Sequence, residues 1–344
     1  MPKGFARFVR PDDLPPQLVP ALAGEGGMDI SAAADYMGPG AIEINRYQTE
    51  ITDMVRRRYP FGQRINQTMA TGQPSRFFEQ LAIPTATMSN PRALSATASQ
   101  PQRVERVIML KAIVSQINYG LFDVEVNQQQ GQFAYLEAKD LTDTVDGVLK
   151  LHDTELWQGA DSDPMISTST DYFGVSGQLF AGATGTAGNA VVNVSSTGSL
   201  VDGVKLQVAT MANRTDYEVR PSALYAAPLF LNLFDQECKL QQLYFNTVEV
   251  LPGVVVQAIP TQMGVLPLIG DPAITVWPYS SQYIYTAFIV SEDMVEYHYL
   301  TDPMPRVFQL GLLGNLAAQF VVVKFGAVIC KGSTYAHACL TSTR

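Results

Sequence analysis

The chain has little of what catalysis or covalent bracing requires. Three cysteines in 344 residues, Cys238, Cys330 and Cys339, are too few and too far apart for a disulfide framework or a CxxC metal site. They are expected as reduced thiols. Histidine is as scarce: His152, His298 and His337 show no ligand spacing, so no zinc site is expected. Neither HExxH nor GxSxG occurs. Long hydrophobic runs are also missing. The most apolar late stretch, Leu312–Cys330, is interrupted by Asn315, Gln319 and Lys324, which excludes a plain transmembrane helix. The opening residues MPKGFARFVRPDDLPP contain no apolar h-region, so no signal peptide is expected. The chain reads as soluble, with no membrane partner.

Charge is the last scarcity. Only 16% of residues are charged, against an average near 25%. A surface so poor in charge is usually covered, and homo-oligomerisation is the commonest cover. The apolar fraction of 47% still suits a sizeable core, in one large domain or two entwined ones.

What chemistry-bearing residues there are do not converge. The acid pairs Asp140/Asp143, Asp161/Asp163 and Glu292/Asp293 sit on helix surfaces and loops, where such pairs are routine, and nothing selects one for glycoside hydrolysis. Gly182, Gly185 and Gly188 match neither GxGxxG nor GxxxxGK[ST] and fit tight turns. His152 falls in an apolar helix stripe and is expected to be packed, and Trp157 and Trp277 are expected to be packing anchors. The Arg56–Arg57–Arg58 cluster closes a predicted helix, where cations complement the helix dipole as well as they would bind phosphate. No enzyme, cofactor or metal is implied.

The most prominent positive feature is one long helical pattern from Gln132 to Gln158. Ala134, Ala138, Leu141, Val145, Val148, Leu149, His152 and Leu156 recur at three or four residues and line one face. Such a helix would be roughly 40 Å long at 1.5 Å per residue. Residues 1–40, rich in Pro and Gly, read as an extended arm, and Ala41–Tyr59 reads as an amphipathic helix closed by Pro60. Arg76–Ile83 and Val104–Ile117 read as strands around the Pro-broken tip Pro84–Gln102. A two-stranded hairpin of that kind is marginal alone and needs a partner surface. After the long helix, Ser162–Asn193 reads as turns between short strands. Ser199–Asn213 is predicted helical, Tyr217–Arg220 a strand, and Pro221–Phe234 a helix. The remaining strands are predicted at Thr247–Ala258, Gly264–Leu268, Ala273–Pro278, Ile284–Val290, Met294–Tyr299 and Gln319–Lys331.

Charge is unevenly placed along this plan. Residues 46–111 carry ten basic against four acidic side chains, a balance of +6, while residues 112–344 carry ten against twenty-two, a balance of −12. A basic extension on an acidic body is the pattern expected when one subunit's arm lies on the next subunit's body.

Arm, hairpin, long helix, mixed lobe and returning strands, in that order, resemble the major capsid protein of tailed double-stranded-DNA phages, the Hong Kong 97-like fold. The local strings that carry the resemblance are ELWQGAD (Glu155–Asp161) at the helix exit, TQMGVLPLIGDPAITVWP, and the late block YLTDPMPRVFQLGLLGNLAAQFVVVKFGAVICKGSTYAHACL. The resemblance implies an α+β chain divided into an N-terminal arm and helix (1–60), an E-loop β-hairpin (61–118), a P domain with spine helix (119–184), an A domain (185–285) and a P-domain return (286–344). It implies hexamers and pentamers of an icosahedral virion capsid around double-stranded DNA, assembled in the host bacterial cytoplasm. Separate scaffolding, portal and cement or decoration proteins are the further partners it suggests. Hairpin residues Arg76, Arg92, Arg103 and Arg106 would meet Asp140, Asp143 and Asp146 of a neighbouring spine helix. The tip Pro84–Gln102 contains no Lys, so the crosslink known in some members is not expected. An encapsulin shell on the same fold, or a monomeric β-rich binding protein, are the alternatives.

Overall fold

The computed structural model describes residues 59–92, 98–120, 136–159, 170–182, 191–193, 198–215, 218–241, 246–252, 254–275, 277–279, 282–313, 317–333 and 335–343. The predicted arm, the 41–59 helix as far as residue 58, the Arg56–Arg58 cluster, Asp161/Asp163, Gly185 and Gly188 lie outside the described residues.

The helices are α1 (Pro60–Arg64), α2 (Leu136–Gln158), α3 (Val175–Gly182), α4 (Leu200–Ala212) and α5 (Pro228–Leu240). The strands of the first half are β1 (Asn66–Met69), β2 (Ser75–Ala82), β3 (Gln102–Ile108), β4 (Lys111–Gly120), β5 (Val191–Asn193) and β6 (Ala223–Ala226). Those of the second half are β7 (Asn246–Leu251), β8 (Val254–Thr261), β9 (Gly264–Gly270), β10 (Trp277–Tyr279), β11 (Gln282–Val290), β12 (Val295–Tyr299), β13 (Arg306–Leu313), β14 (Ala317–Cys330) and β15 (Ala338–Thr343).

They form three sheets among the described residues. A five-stranded sheet runs β1-β12-β14-β13, with β4 also paired to β14. An eight-stranded sheet runs β5-β15-β11-β6-β9-β8-β7, with β10 on β11. The third is the isolated antiparallel hairpin β2–β3. The long strand β14 organises the first sheet. Its residues 317–326 pair with β4, 317–323 with β13, and 326–330 with β12.

The long helix forms as its periodicity predicts, over Leu136–Gln158. Leu141 and Val145 pack against the first core, and Val148, Leu149, His152, Leu156 and Trp157 are buried. Trp157 is the keystone of that core. Its ring lies 4.1 Å from Phe61 and 4.8 Å from Phe288, and its indole N–H donates to Asp271 Oδ2 at 3.1 Å. Satisfying the one polar atom lets so large a side chain bury completely. A second core lies where Leu200, Val204, Val208 and Met211 of α4 meet Phe230 and Phe234 of α5 over the eight-stranded sheet.

Several predicted elements are corrected. The expected strand Val104–Ile117 is two strands, because the chain leaves the hairpin at Ile108 and joins β14 from Lys111. The expected helix Pro221–Phe234 begins only at Pro228. Residues 223–226 are a buried strand, and Ala227 is held at φ −57, ψ 141, the extended geometry that a following proline imposes. No strand forms at 218–220. The expected strand Thr247–Ala258 is two antiparallel strands, β7 and β8. In the region read as turns and strands, α3 is a helix fixed by tertiary contacts: Val175 and Leu179 are buried one turn apart, and the Gln178 amide bonds Val328 O and Cys330 N. Strands β13 and β15 are additional to those expected.

Candidate assembly surface and its anchorage

The hairpin β2–β3 has two faces because its side chains alternate. Phe77, Glu79 and Leu81 are half-buried toward the body, whereas Arg76, Phe78 and Gln80 face outward. Phe78 is 71% exposed and Ile83, just past the strand, is 75% exposed.

The four candidate arginines divide into two pairs. Arg76 binds Glu105 at 2.9 Å on the outer face, and Arg106 binds Glu79 at 3.0 Å on the inner one, so both are engaged within the hairpin. Arg92 and Arg103 are exposed and form no ion pair among the described residues. On α2, Asp143 is exposed, and Asp140 and Asp146 are half-buried. Among the described residues, none of the four arginines lies within ion-pair distance of these acids.

Two polar networks brace the body, and the second also anchors the hairpin to it. Both join residues more than two hundred positions apart, which is why sequence reasoning missed them. In the first, Arg64 closes a bidentate pair with Glu292, 2.6 Å from each oxygen. It also donates to Tyr225 Oη at 3.0 Å and Val250 O at 2.8 Å. Tyr225 donates in turn to Glu292. The Glu292 hydrogen bond raises the Arg64 pKa further, outweighing burial, and burial pushes the Tyr225 phenol well above its usual range. α1, β6, β7 and the 3-10 turn Glu292–Met294 thereby meet at one guanidinium.

In the second, Ser75 Oγ bonds His298 Nδ1 at 2.8 Å, His298 Nε2 donates to Glu296 Oε2 at 3.0 Å, and Lys331 Nζ reaches Glu296 Oε1 at 2.5 Å. Burial would raise the Glu296 pKa, but the bonds from Lys331 and His298 prevail and hold it below the usual carboxylate range. A Ser-His-Glu chain invites comparison with a hydrolase triad. Ser75 is 0% exposed, however, and the polar chain fastens β2 to β12 where no substrate reaches it.

No metal-holding group of three or more His, Cys, Asp or Glu side chains occurs among the described residues. No helix there is long and apolar enough to cross a membrane.

No family model matches the sequence, and no curated protein does. Solved structures match over almost the whole chain. A chain of the cyanophage A-1(L) capsid asymmetric unit aligns with a TM-score of 0.58 at 11% identity, covering 88% of this chain and 97% of the other. A structure from Mycobacterium phage Bobi aligns with a TM-score of 0.58 at 11% identity, covering 92% and 99%. The SrpI encapsulin of Synechococcus elongatus PCC 7942 aligns with a TM-score of 0.53 at 14% identity, covering 91% and 94%. Hairpin, long helix and two mixed sheets thus add up to the Hong Kong 97-like fold, common to phage capsid and encapsulin subunits.

Proposed function

We propose that this chain is the major capsid protein of a tailed bacteriophage. Copies of it assemble, as hexamers and pentamers, into the icosahedral head that encloses double-stranded DNA. It acts structurally and not as an enzyme. The observation that carries this reading is the match to a chain of a phage capsid over 88% of this chain and 97% of the other. The scarcity of charge and the basic-on-acidic division of the sequence support it. On this reading the segments 61–118, 119–184, 185–285 and 286–344 serve as E-loop, spine, A domain and returning P domain. The virion is the location, following assembly in the host cytoplasm. Scaffolding, portal and cement proteins are the outside partners.

The exposed Arg92 and Arg103 are the hairpin cations available to a neighbouring subunit's Asp140, Asp143 and Asp146. Arg76 and Arg106 already serve the hairpin itself. Electron microscopy of negatively stained full-length protein tests the reading: shells of uniform diameter are expected, and a monomer under all conditions refutes it. Arg92→Glu with Arg103→Glu is expected to abolish shells while leaving a folded chain. Normal shells from that variant would remove those contacts from the account.

The encapsulin match favours one second reading, a protein compartment around a cargo. Particle contents separate the two. Nuclease-protected double-stranded DNA in native particles supports the phage head, and a co-purifying protein cargo supports the compartment.

A further inference from the structure

The joint between hairpin and body is only partly packed. At the root, Phe77 and Leu110 lie against a small apolar cluster of Ile108, Ala327 and Ile329. The Gln73 amide clasps Leu110 from both sides, accepting from its N–H at 2.9 Å and donating to its carbonyl at 3.3 Å. Beyond that root the packing opens. A cavity of about 290 Å³ separates Phe78–Leu81 and Arg106 from Val219, Met294 and, after β14, Lys331–Ser333, Tyr335 and Ala336. One side chain bridges it. Glu79 Oε1 accepts the Gly332 N–H at 2.8 Å, and its Oε2 accepts from Arg106 Nε at 3.0 Å.

A pivot, a gap and a single charged bridge form a lever with a catch. We propose that Glu79 is a latch: its bond to the Gly332 backbone sets the angle at which the β2–β3 hairpin leaves the body, and releasing it lets the hairpin swing about the Phe77–Leu110 root. Charge makes the latch stronger than a neutral hydrogen bond. Arg106 holds the carboxylate aimed at the turn. Gly332 suits the receiving end, because it lies at φ +62, a left-handed conformation that other residues resist. The cavity behind the bridge is what allows movement, since an interface packed at core density would hold the hairpin with or without Glu79. This device is a property of the single chain and does not depend on the shell reading.

The test is a distance measurement on the full chain, spin-diluted with unlabelled protein. The labels go on Ala82→Cys, at the exposed end of β2, and Leu240→Cys, at the exposed end of α5. The three native thiols are buried and stay unlabelled. With Glu79 present, one narrow distance distribution is expected. Glu79→Ala should broaden it or shift it to a second population, the latched state losing about tenfold in relative weight, the scale of one charge-assisted hydrogen bond. Glu105→Ala breaks the hairpin's other ion pair, which does not touch the body, and should leave the distribution narrow. An unchanged distribution in Glu79→Ala overturns the latch. Equal broadening in Glu105→Ala overturns it too, because hairpin integrity and not the bridge would then set the angle.

Discussion

Replacing Arg64 by alanine should be the most damaging single change to a polar side chain in the described body. The guanidinium satisfies both oxygens of Glu292, the Tyr225 hydroxyl and the Val250 carbonyl, and the side chains of Arg64 and Glu292 are each only 14% exposed. Alanine would leave a largely buried carboxylate with Tyr225 as its remaining side-chain donor. Removing one member of a buried pair costs roughly 3–5 kcal/mol, and the residual exposure places this case near the lower end, about 3 kcal/mol. At roughly 2–3 °C per kcal/mol for a body of this size, the melting midpoint should fall by about 6–9 °C. The assay is urea and thermal unfolding of unassembled protein at fixed concentration, because assembly would shift the apparent midpoint by mass action. A cycle with Glu292→Gln isolates the pair. Arg64→Ala should lose much of its effect in the Glu292→Gln background, where no buried charge is left behind. A loss below about 0.5 kcal/mol, or strict additivity with Glu292→Gln, would refute the claim that this guanidinium joins α1 to the second sheet.

Four further outcomes are expected. Gly326→Ala should be strongly destabilising, because a Cβ there would overlap the Tyr297 hydroxyl, whereas Gly147→Ala meets nothing in mid-helix and should stabilise by about 0.5–1 kcal/mol in denaturant titration. Burial pushes His337 from 6.5 down to about 4, so its neutral form contributes stability that is complete above pH 6.5 and is lost as pH falls toward 4. The loss should approach about 3 kcal/mol below pH 4, and His337→Gln should flatten that part of the stability profile. Glu237 caps α4 by accepting from Leu200 N–H at 2.9 Å, Val201 N–H at 3.3 Å and the Ser199 hydroxyl. Glu237→Ala should cost about 1–2 kcal/mol, read as a lower midpoint in urea.

The elements legible in the sequence were those whose signal is local. The α2 stripe and the α4 face follow from 3.6-residue spacing, and both are buried as expected. Where tertiary context decides, the local signal fails. Val104–Ile117 carries Val and Ile along its whole length, and nothing in it marks Met109–Leu110 as the point where the chain changes sheets. The run PSALYAAPLFLNLF is helical in composition, yet its second proline, Pro228, was the signal that the helix starts there and that Ala227 stays extended. α3 owes its form to Gln178 reaching strand β14, 150 residues on. The candidate assembly residues were chosen by charge type, but charge type does not reveal that Glu79 and Glu105 already engage two of them. Ser75, His298 and Glu296 carry no sequence signal as a group, since pairing of β12 and β14 around the hairpin root is what assembles them.

The way β14 is bordered also fixes a schedule. Its partners β4, β12 and β13 span residues 111–313, so the five-stranded sheet has no centre until residues 317–330 have been synthesised. A nascent chain that has just completed its hairpin and long helix therefore exposes their unpaired edges, and contacts of this sequence separation close slowly. Domains that fill in sequence order can fold during synthesis, whereas this body closes late and all at once. On the proposed capsid reading, surfaces for self-association would be set only on chains whose central strand is complete, which would keep half-made subunits from joining finished ones.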